Sequence, residues 1–187
     1  MQLNIKNMVC PRCIKSVAGI FQAAGAAVRE VKLGAVILQE PLSPEKLLSV
    51  REALEAEGFA LIDDQRAALV EQVKNLVIGL VHFGELDEKK ENLSEYLSRR
   101  LHKDYTYITN LFSSIADTTI EQYFILQKIE KVKEWLVYDE LTLSEMAFKL
   151  GYSSVAHLSG QFKKITGLTP TRFKKLKDHH RKKIDTL

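Results

Sequence analysis

Along residues 1–62 short runs of alternating apolar and polar positions are interrupted by two stretches of helical period. "LNIKNM" alternates as a half-buried strand does, and "IKSVAGIFQAAG" sets Ile14, Val17, Ile20 and Phe21 at helical spacing before Gly25. "AAVREVKLG" and "AVILQEP" alternate again around Gly34, which predicts a hairpin turn. "SPEKLLSVREALEAEG" predicts a helix with Ser43 as N-cap, Pro44 at the first helical position and Gly58 past the end. "FALID" closes the segment as a strand, so the predicted order is βαββαβ.

From Asp63 or Asp64 to Gly84 one helix fits. Its apolar stripe is Leu69, Val73, Leu76, Val77, Leu80 and Val81, and its predicted role is connection. Beyond Glu91 every period is helical, and the chain repeats itself. "LSEYLSRRLHKDYTYITNLF" (93–112) and "LSEMAFKLGYSSVAHLSGQF" (143–162) lie 50 residues apart. Each opens Leu-Ser-Glu, with Ser94 and Ser144 as the expected caps. Asp117 and Gly167 then suit left-handed turns, and Thr119 and Thr169 suit the N-caps that follow. Each copy reads as two short helices around a tight turn, the helix-turn-helix pattern. Between them "TIEQYFILQKIEKVKEWLV" predicts a helix about 27 Å long, with Trp135 and Tyr138 read as core. That length suits two recognition helices about one DNA turn apart.

Charge sharpens this picture. Residues 1–84 carry nine basic and nine acidic side chains, whereas residues 149–187 carry ten basic against two acidic, a net of +8. The C-terminal end is therefore expected to meet a polyanion. No run of about 18 apolar residues predicts a membrane span, and the start lacks the apolar core of a signal peptide, so the expected location is cytoplasmic. No nucleophile–base set, phosphate loop or catalytic metal constellation is legible, and the reading is not that of an enzyme.

Residues 91–176, and above all "LTLSEMAFKLGYSSVAHLSGQFKKITGLTPTRFKK", resemble the paired helix-turn-helix domain of AraC/XylS transcription regulators. The resemblance implies DNA-reading helices at residues 104–113 and 153–164. It places Thr106, Tyr107, Thr109 and Asn110 in the first as base or phosphate contacts, and Val155, His157, Ser159 and Gly160 in the second. Val155 and Gly160 stand where that family usually has an amide and an arginine, and Asn110 replaces the equivalent arginine. The first unit is thus expected to carry more direct readout. The second is expected to position the protein through its backbone, His157, Lys163, Lys164 and the basic tail.

The chain's two cysteines, Cys10 and Cys13, stand in "MVCPRC". A soft-metal clamp, a redox switch and a structural pair are the three readings of that spacing. A βαββαβ segment with Cys-x-x-Cys after its first strand resembles the heavy-metal-associated domain of copper chaperones and copper-pumping ATPases. "NMVCPRCIKSV" and "AEGFALID" carry the likeness, and Phe59 falls where that family puts an aromatic near the metal loop. Two thiolates suit Cu(I), with Ag(I) and Hg(II) as alternatives. Zn(II) would want four ligands, and His82, His102, His157, His179 and His180 all lie outside this segment. Met8 is read as core packing, and His179-His180 as part of a solvated tail.

The fold class expected is α+β: a ferredoxin-like βαββαβ domain (1–63), a connecting helix (64–84), an all-α double helix-turn-helix domain (91–176) and a basic tail (177–187). The function expected is a DNA-binding transcription regulator responding to Cu(I) at Cys10 and Cys13. Its partners would be double-stranded DNA and RNA polymerase, and it would act as a monomer or homodimer. The alternative is a metal-trafficking or redox-sensing protein whose helical half docks a partner protein.

Overall fold

The computed structural model describes residues 1–83 and 92–176. The expected stop at Gly84, the domain start at residue 91 and the basic tail 177–187, with His179 and His180, lie outside the described residues. The chain divides into two compact units, Met1–Asn75 and Leu76–Leu187.

In the first unit the elements are β1 (Gln2–Lys6), α1 (Pro11–Ala23), β2 (Val28–Lys32), β3 (Ala35–Leu38), α2 (Pro44–Ala56) and β4 (Ala60–Ile62). The four strands form one sheet in the order β2-β3-β1-β4, and every neighbouring pair is antiparallel. Alternation decides which side is buried. Ile5 of β1 and Val36 and Leu38 of β3 meet Val17 and Phe21 of α1 and Val50 and Leu54 of α2, with Met8 and Phe59 completing the core. Ser43 caps α2 by accepting from the Lys46 N–H at 3.3 Å, with Pro44 in the first turn as expected. Gly34 turns β2 into β3 with φ 78°, a conformation that strains any side chain, and a Cβ there would also stand 2.1 Å from Asn75 Nδ2, so the Asn75 amide would have to move.

Helix α3 spans Gln65–His82 and holds the boundary between the units. Its Glu71 and Asn75 belong to the first unit. In the second unit Val81 joins a core cluster, and His82 Nε2 lies 2.8 Å from Gln127 Oε1.

The described helices of the second unit are α4 (Leu93–Leu101), α5 (Tyr105–Ala116), α6 (Ile120–Tyr138), α7 (Leu143–Lys149), α8 (Val155–Thr166) and α9 (Pro170–Lys174). The recognition helices thus run 105–116 and 155–166 rather than 104–113 and 153–164. In both cases the residue at position 104 or 154 is the cap, and the helix continues until a left-handed residue stops it. Those stops are Asp117 (φ 51°) and Gly167 (φ 78°), as expected. Thr119 and Thr169 cap the next helices.

The Leu-Ser-Glu serines do not cap. Asn92 and Thr142, one residue before each Leu, accept from the N–H of Glu95 and Glu145, which places each Glu at the third helical position. In α7 the Glu145 carboxylate accepts from the Thr142 N–H at 2.8 Å, closing a capping box. Phe112 packs on Tyr123 in the first copy (5.8 Å between ring centroids) and Phe162 on Phe173 in the second (5.4 Å). Trp135 is buried as expected. Tyr138 is not, at 63% exposed, because it sits in the last turn of α6.

Candidate nucleic-acid interface and thiol pair

The two recognition helices are built from one plan. Asp104 accepts a hydrogen bond from the Tyr107 N–H (3.2 Å), and Ser154 accepts one from the His157 N–H (3.1 Å). Each cap ends a tight turn made by a left-handed residue, His102 (φ 52°) in the first copy and Gly151 (φ 66°) in the second. Ile108, Leu111 and Phe112 anchor α5, and Leu158 and Phe162 anchor α8.

Burying one stripe leaves the opposite stripe exposed. On α5 that stripe includes Thr106, Tyr107 (49% exposed), Asn110 and Ser114. Fifty residues on, Ala156, His157, Gly160 and Lys164 occupy the same positions, with Lys163 exposed beside them. Of the residues expected to touch DNA, the structure thus exposes Thr106, Tyr107, Asn110, His157, Gly160, Lys163 and Lys164. Val155 and Ser159 are half-buried, and the Thr109 hydroxyl oxygen is buried. Ala156 and Ser114 share the exposed stripe although the sequence reading passed over them. The 50-residue offset, applied to exposure rather than to motif, is the signal that finds them.

Neighbouring groups hold these helices. The Tyr105 hydroxyl donates to Glu121 Oε1 at 2.6 Å, tying the start of α5 to that of α6. Burial, with that hydrogen bond, pushes the Tyr105 phenol up to about 12, and the same bond lowers the Glu121 carboxyl. In the second copy the His157 ring meets Tyr152 edge-on (5.3 Å), and its Nδ1 lies 3.1 Å from Ser153 Oγ. The Lys128 ammonium sits 4.3 Å from the centroid of Phe124 and 5.1 Å from that of Tyr152. Burial pushes Lys128 down to about 8 and Tyr152 up to about 12. Positive charge is distributed unequally. Arg99 and Arg100 of α4 lie over the Tyr96 ring in the first copy, whereas in the second Lys163 and Lys164 lie in the last turn of α8.

In the first unit Cys10 is the N-cap residue of α1 and Cys13 lies in its first turn. Both are free thiols, half-buried, with their sulfurs 3.4 Å apart, well beyond a disulfide's roughly 2.05 Å. Burial pushes both thiols up. At Cys10 the hydrogen bonds from the Cys13 backbone, the Cys13 thiol and the Arg12 backbone, with the Arg12 charge, outweigh burial and leave its pKa lowered. At Cys13 burial and the neighbouring Cys10 sulfur prevail over the Val9 backbone bond, and its pKa is raised. Cys10 is therefore the readier anion of the pair. Met8 beside them is fully buried core, and Phe59 is buried too. Asn7, at the base of the loop, donates its side-chain amide to Gly58 O (2.9 Å) and its N–H to Glu71 of α3 (3.5 Å). Among the described residues no group of three or more His, Cys, Asp or Glu is gathered for a metal, so the donor set this segment offers is two sulfurs. Two soft donors on one side of a loop fit a soft monovalent ion better than a four-ligand one.

The C-terminal unit is thus a two-copy helix-turn-helix domain, and comparison with known proteins agrees. Residues 97–176 match the family described as the helix-turn-helix domain. The chain is 24% identical over 117 residues, 63% of its length, to the uncharacterized HTH-type transcriptional regulator YtdP of Bacillus subtilis (strain 168). It spans 15% of that relative's length. The C-terminal domain of AraT, a response regulator from Geobacillus stearothermophilus, is similar in fold, with a TM-score of 0.50 at 20% identity over 63% of this chain and 97% of that one. A DNA-binding transcriptional dual regulator from Escherichia coli K-12 gives a TM-score of 0.48 at 15% identity, over 57% of this chain and 89% of that one.

Proposed function

We propose that this chain is a DNA-binding transcription regulator of the AraC/XylS type whose N-terminal unit is a heavy-metal-associated domain binding Cu(I) through Cys10 and Cys13. The observation that carries the DNA-binding part is the repeat. Two recognition helices share caps, stops and anchors at an offset of 50 residues and expose equivalent stripes. Helix α6, 19 residues and about 28 Å long, suits half-sites in successive major grooves. The printed names of the relatives, a transcriptional regulator and a response regulator, agree with a regulatory rather than catalytic role.

For the first unit, the strand order β2-β3-β1-β4 within a βαββαβ chain supports a ferredoxin-like reading. The paired free thiols support a soft-metal site, at which Ag(I) and Hg(II) compete with Cu(I), and Zn(II) would require further ligands. Bound there, the ion would supply soft two-sulfur bonding that fixes the loop. The chain's own residues do the rest. Asn7 holds the loop base to Gly58 and to Glu71 of α3, and α3 also supplies Val81 and His82 to the second unit. A coupling of about 1–3 kcal/mol between metal and DNA would make a useful switch. Among the described residues no helix is long and apolar enough to cross a membrane, which agrees with a cytoplasmic regulator working alongside RNA polymerase, as monomer or homodimer.

The test is selection of duplexes from a random pool under reducing conditions, with apo protein, with Cu(I)-loaded protein and with Cys10→Ser/Cys13→Ser protein. Enrichment that differs between the first two and is metal-independent in the third is expected. Equal enrichment in all three would remove the metal switch, and enrichment in none would remove the DNA reading and favour a helical half that docks a protein.

A further inference from the structure

Resting on that reading of the C-terminal unit as a DNA binder, we infer that the operator is recognised at an A·T pair through Asn110, and that neither recognition helix reads guanine by a bidentate cationic contact. Base edges are reached by the N-terminal residues of a recognition helix. The outward groups there are Thr106, Tyr107 and Asn110 on α5 and Ala156, His157 and Gly160 on α8. None is a guanidinium or an ammonium. Guanine's paired acceptors are read by arginine or lysine, whereas adenine's adjacent acceptor and donor are read by the amide of asparagine or glutamine. Asn110 carries that amide on the exposed face, and no hydrogen bond among the described residues engages it.

The other outward groups agree with an A·T site. The methyl groups of Thr106 and Ala156 suit the thymine C5-methyl. His157, with Nδ1 near Ser153 Oγ, has one ring nitrogen left, and a single contact does not separate adenine from guanine, which share the N7 acceptor. Lys163 and Lys164 stand in the last turn of α8, where they suit phosphates, which carry no sequence information. Gly160, the counterpart of Asn110, offers no side chain. A Cβ built there meets nothing within 4 Å, so a side chain can start from that position without a clash.

The experiment is the same duplex selection on the full chain, apo and Cu(I)-loaded, with wild type, Asn110→Ala and Gly160→Asn. Wild type is expected to enrich adenine at its strongest position within one half-site. Asn110→Ala should still bind but lose preference at that pair by roughly 5- to 150-fold. Gly160→Asn should gain an adenine preference about one helical turn (roughly 10 base pairs) away. Guanine at the strongest position, or an unchanged preference in Asn110→Ala, would overturn the assignment while leaving DNA binding intact. Absence of a new adenine preference in Gly160→Asn would overturn the equivalence of positions 110 and 160. No enrichment by wild type would overturn the inference together with the reading it rests on.

Discussion

Fifty residues apart, Asp104 and Ser154 begin α5 and α8 with the same cap, and Asp117 and Gly167 end them with the same left-handed turn. Between those fixed points the outward stripes differ. Thr106, Tyr107, Asn110 and Ser114 form an uncharged, hydrogen-bonding face, while Ala156, His157, Gly160 and Lys164 form one with little at its centre and a cation at its end. The backbone plan of a helix-turn-helix is enforced by caps, stops and a buried aromatic contact in each copy. The exposed stripe is under no such constraint, so two copies with one fold can carry different chemistry.

The largest test of that equivalence is in the core. Phe112 and Phe162 are both fully buried, each against an aromatic ring of the following helix. Phe112→Ala and Phe162→Ala should each cost about 3–5 kcal/mol in chemical denaturation. Costs differing by more than about 1.5 kcal/mol would show that the copies are not held in the same way.

A smaller effect should separate the copies. The partly buried Lys128 sets its ammonium 4.3 Å from the ring centroid of Phe124 and 5.1 Å from that of Tyr152 in the second copy. Its folded pKa of about 8 is below the 10.5 of an ordinary lysine. Between those values the unfolded chain holds a proton that the native protein has released, so stability should rise with pH across that window. Tyr152, pushed up to about 12, opposes the rise only above about pH 10. The ring faces favour the cation, which reduces the expected gain to about 2 kcal/mol between pH 7.5 and pH 10. Lys128→Met should flatten that difference and be the more stable protein at pH 7. A slope identical to wild type would show that Lys128 titrates normally.

The smallest effect compares the first helix of each copy. Asn92→Ala removes a single cap, whereas Thr142→Ala also breaks the reciprocal bond with Glu145. Both should cost about 1 kcal/mol, with Thr142 the larger, read as a difference in thermal midpoint. The reverse order would deny the capping box an energetic role.

Much of this plan was legible beforehand. Ser43, Thr119 and Thr169 cap where the sequence places them, and Gly34, Asp117 and Gly167 turn where only a left-handed residue fits. These features depend on neighbours within four residues, which local chemistry decides. The misplaced caps at Ser94 and Ser144 show how fine that reading must be. Counting back from the Glu rather than forward from the Ser places Glu95 and Glu145 third in their helices and the caps at Asn92 and Thr142. Tyr138 failed for a different reason: helical period alone cannot say that the last turn of α6 emerges into solvent.

By itself, the sequence determined the order of elements, the repeat, the turns and the thiol pair, because each follows from backbone preference or spacing along the chain. Only the tertiary structure decided that the Thr109 hydroxyl is buried while Asn110 beside it is exposed, and that Lys128 is enclosed enough for burial to push its pKa down to about 8. Each of those depends on groups from other turns and other helices, and burial is a property of what surrounds a residue rather than of what precedes it.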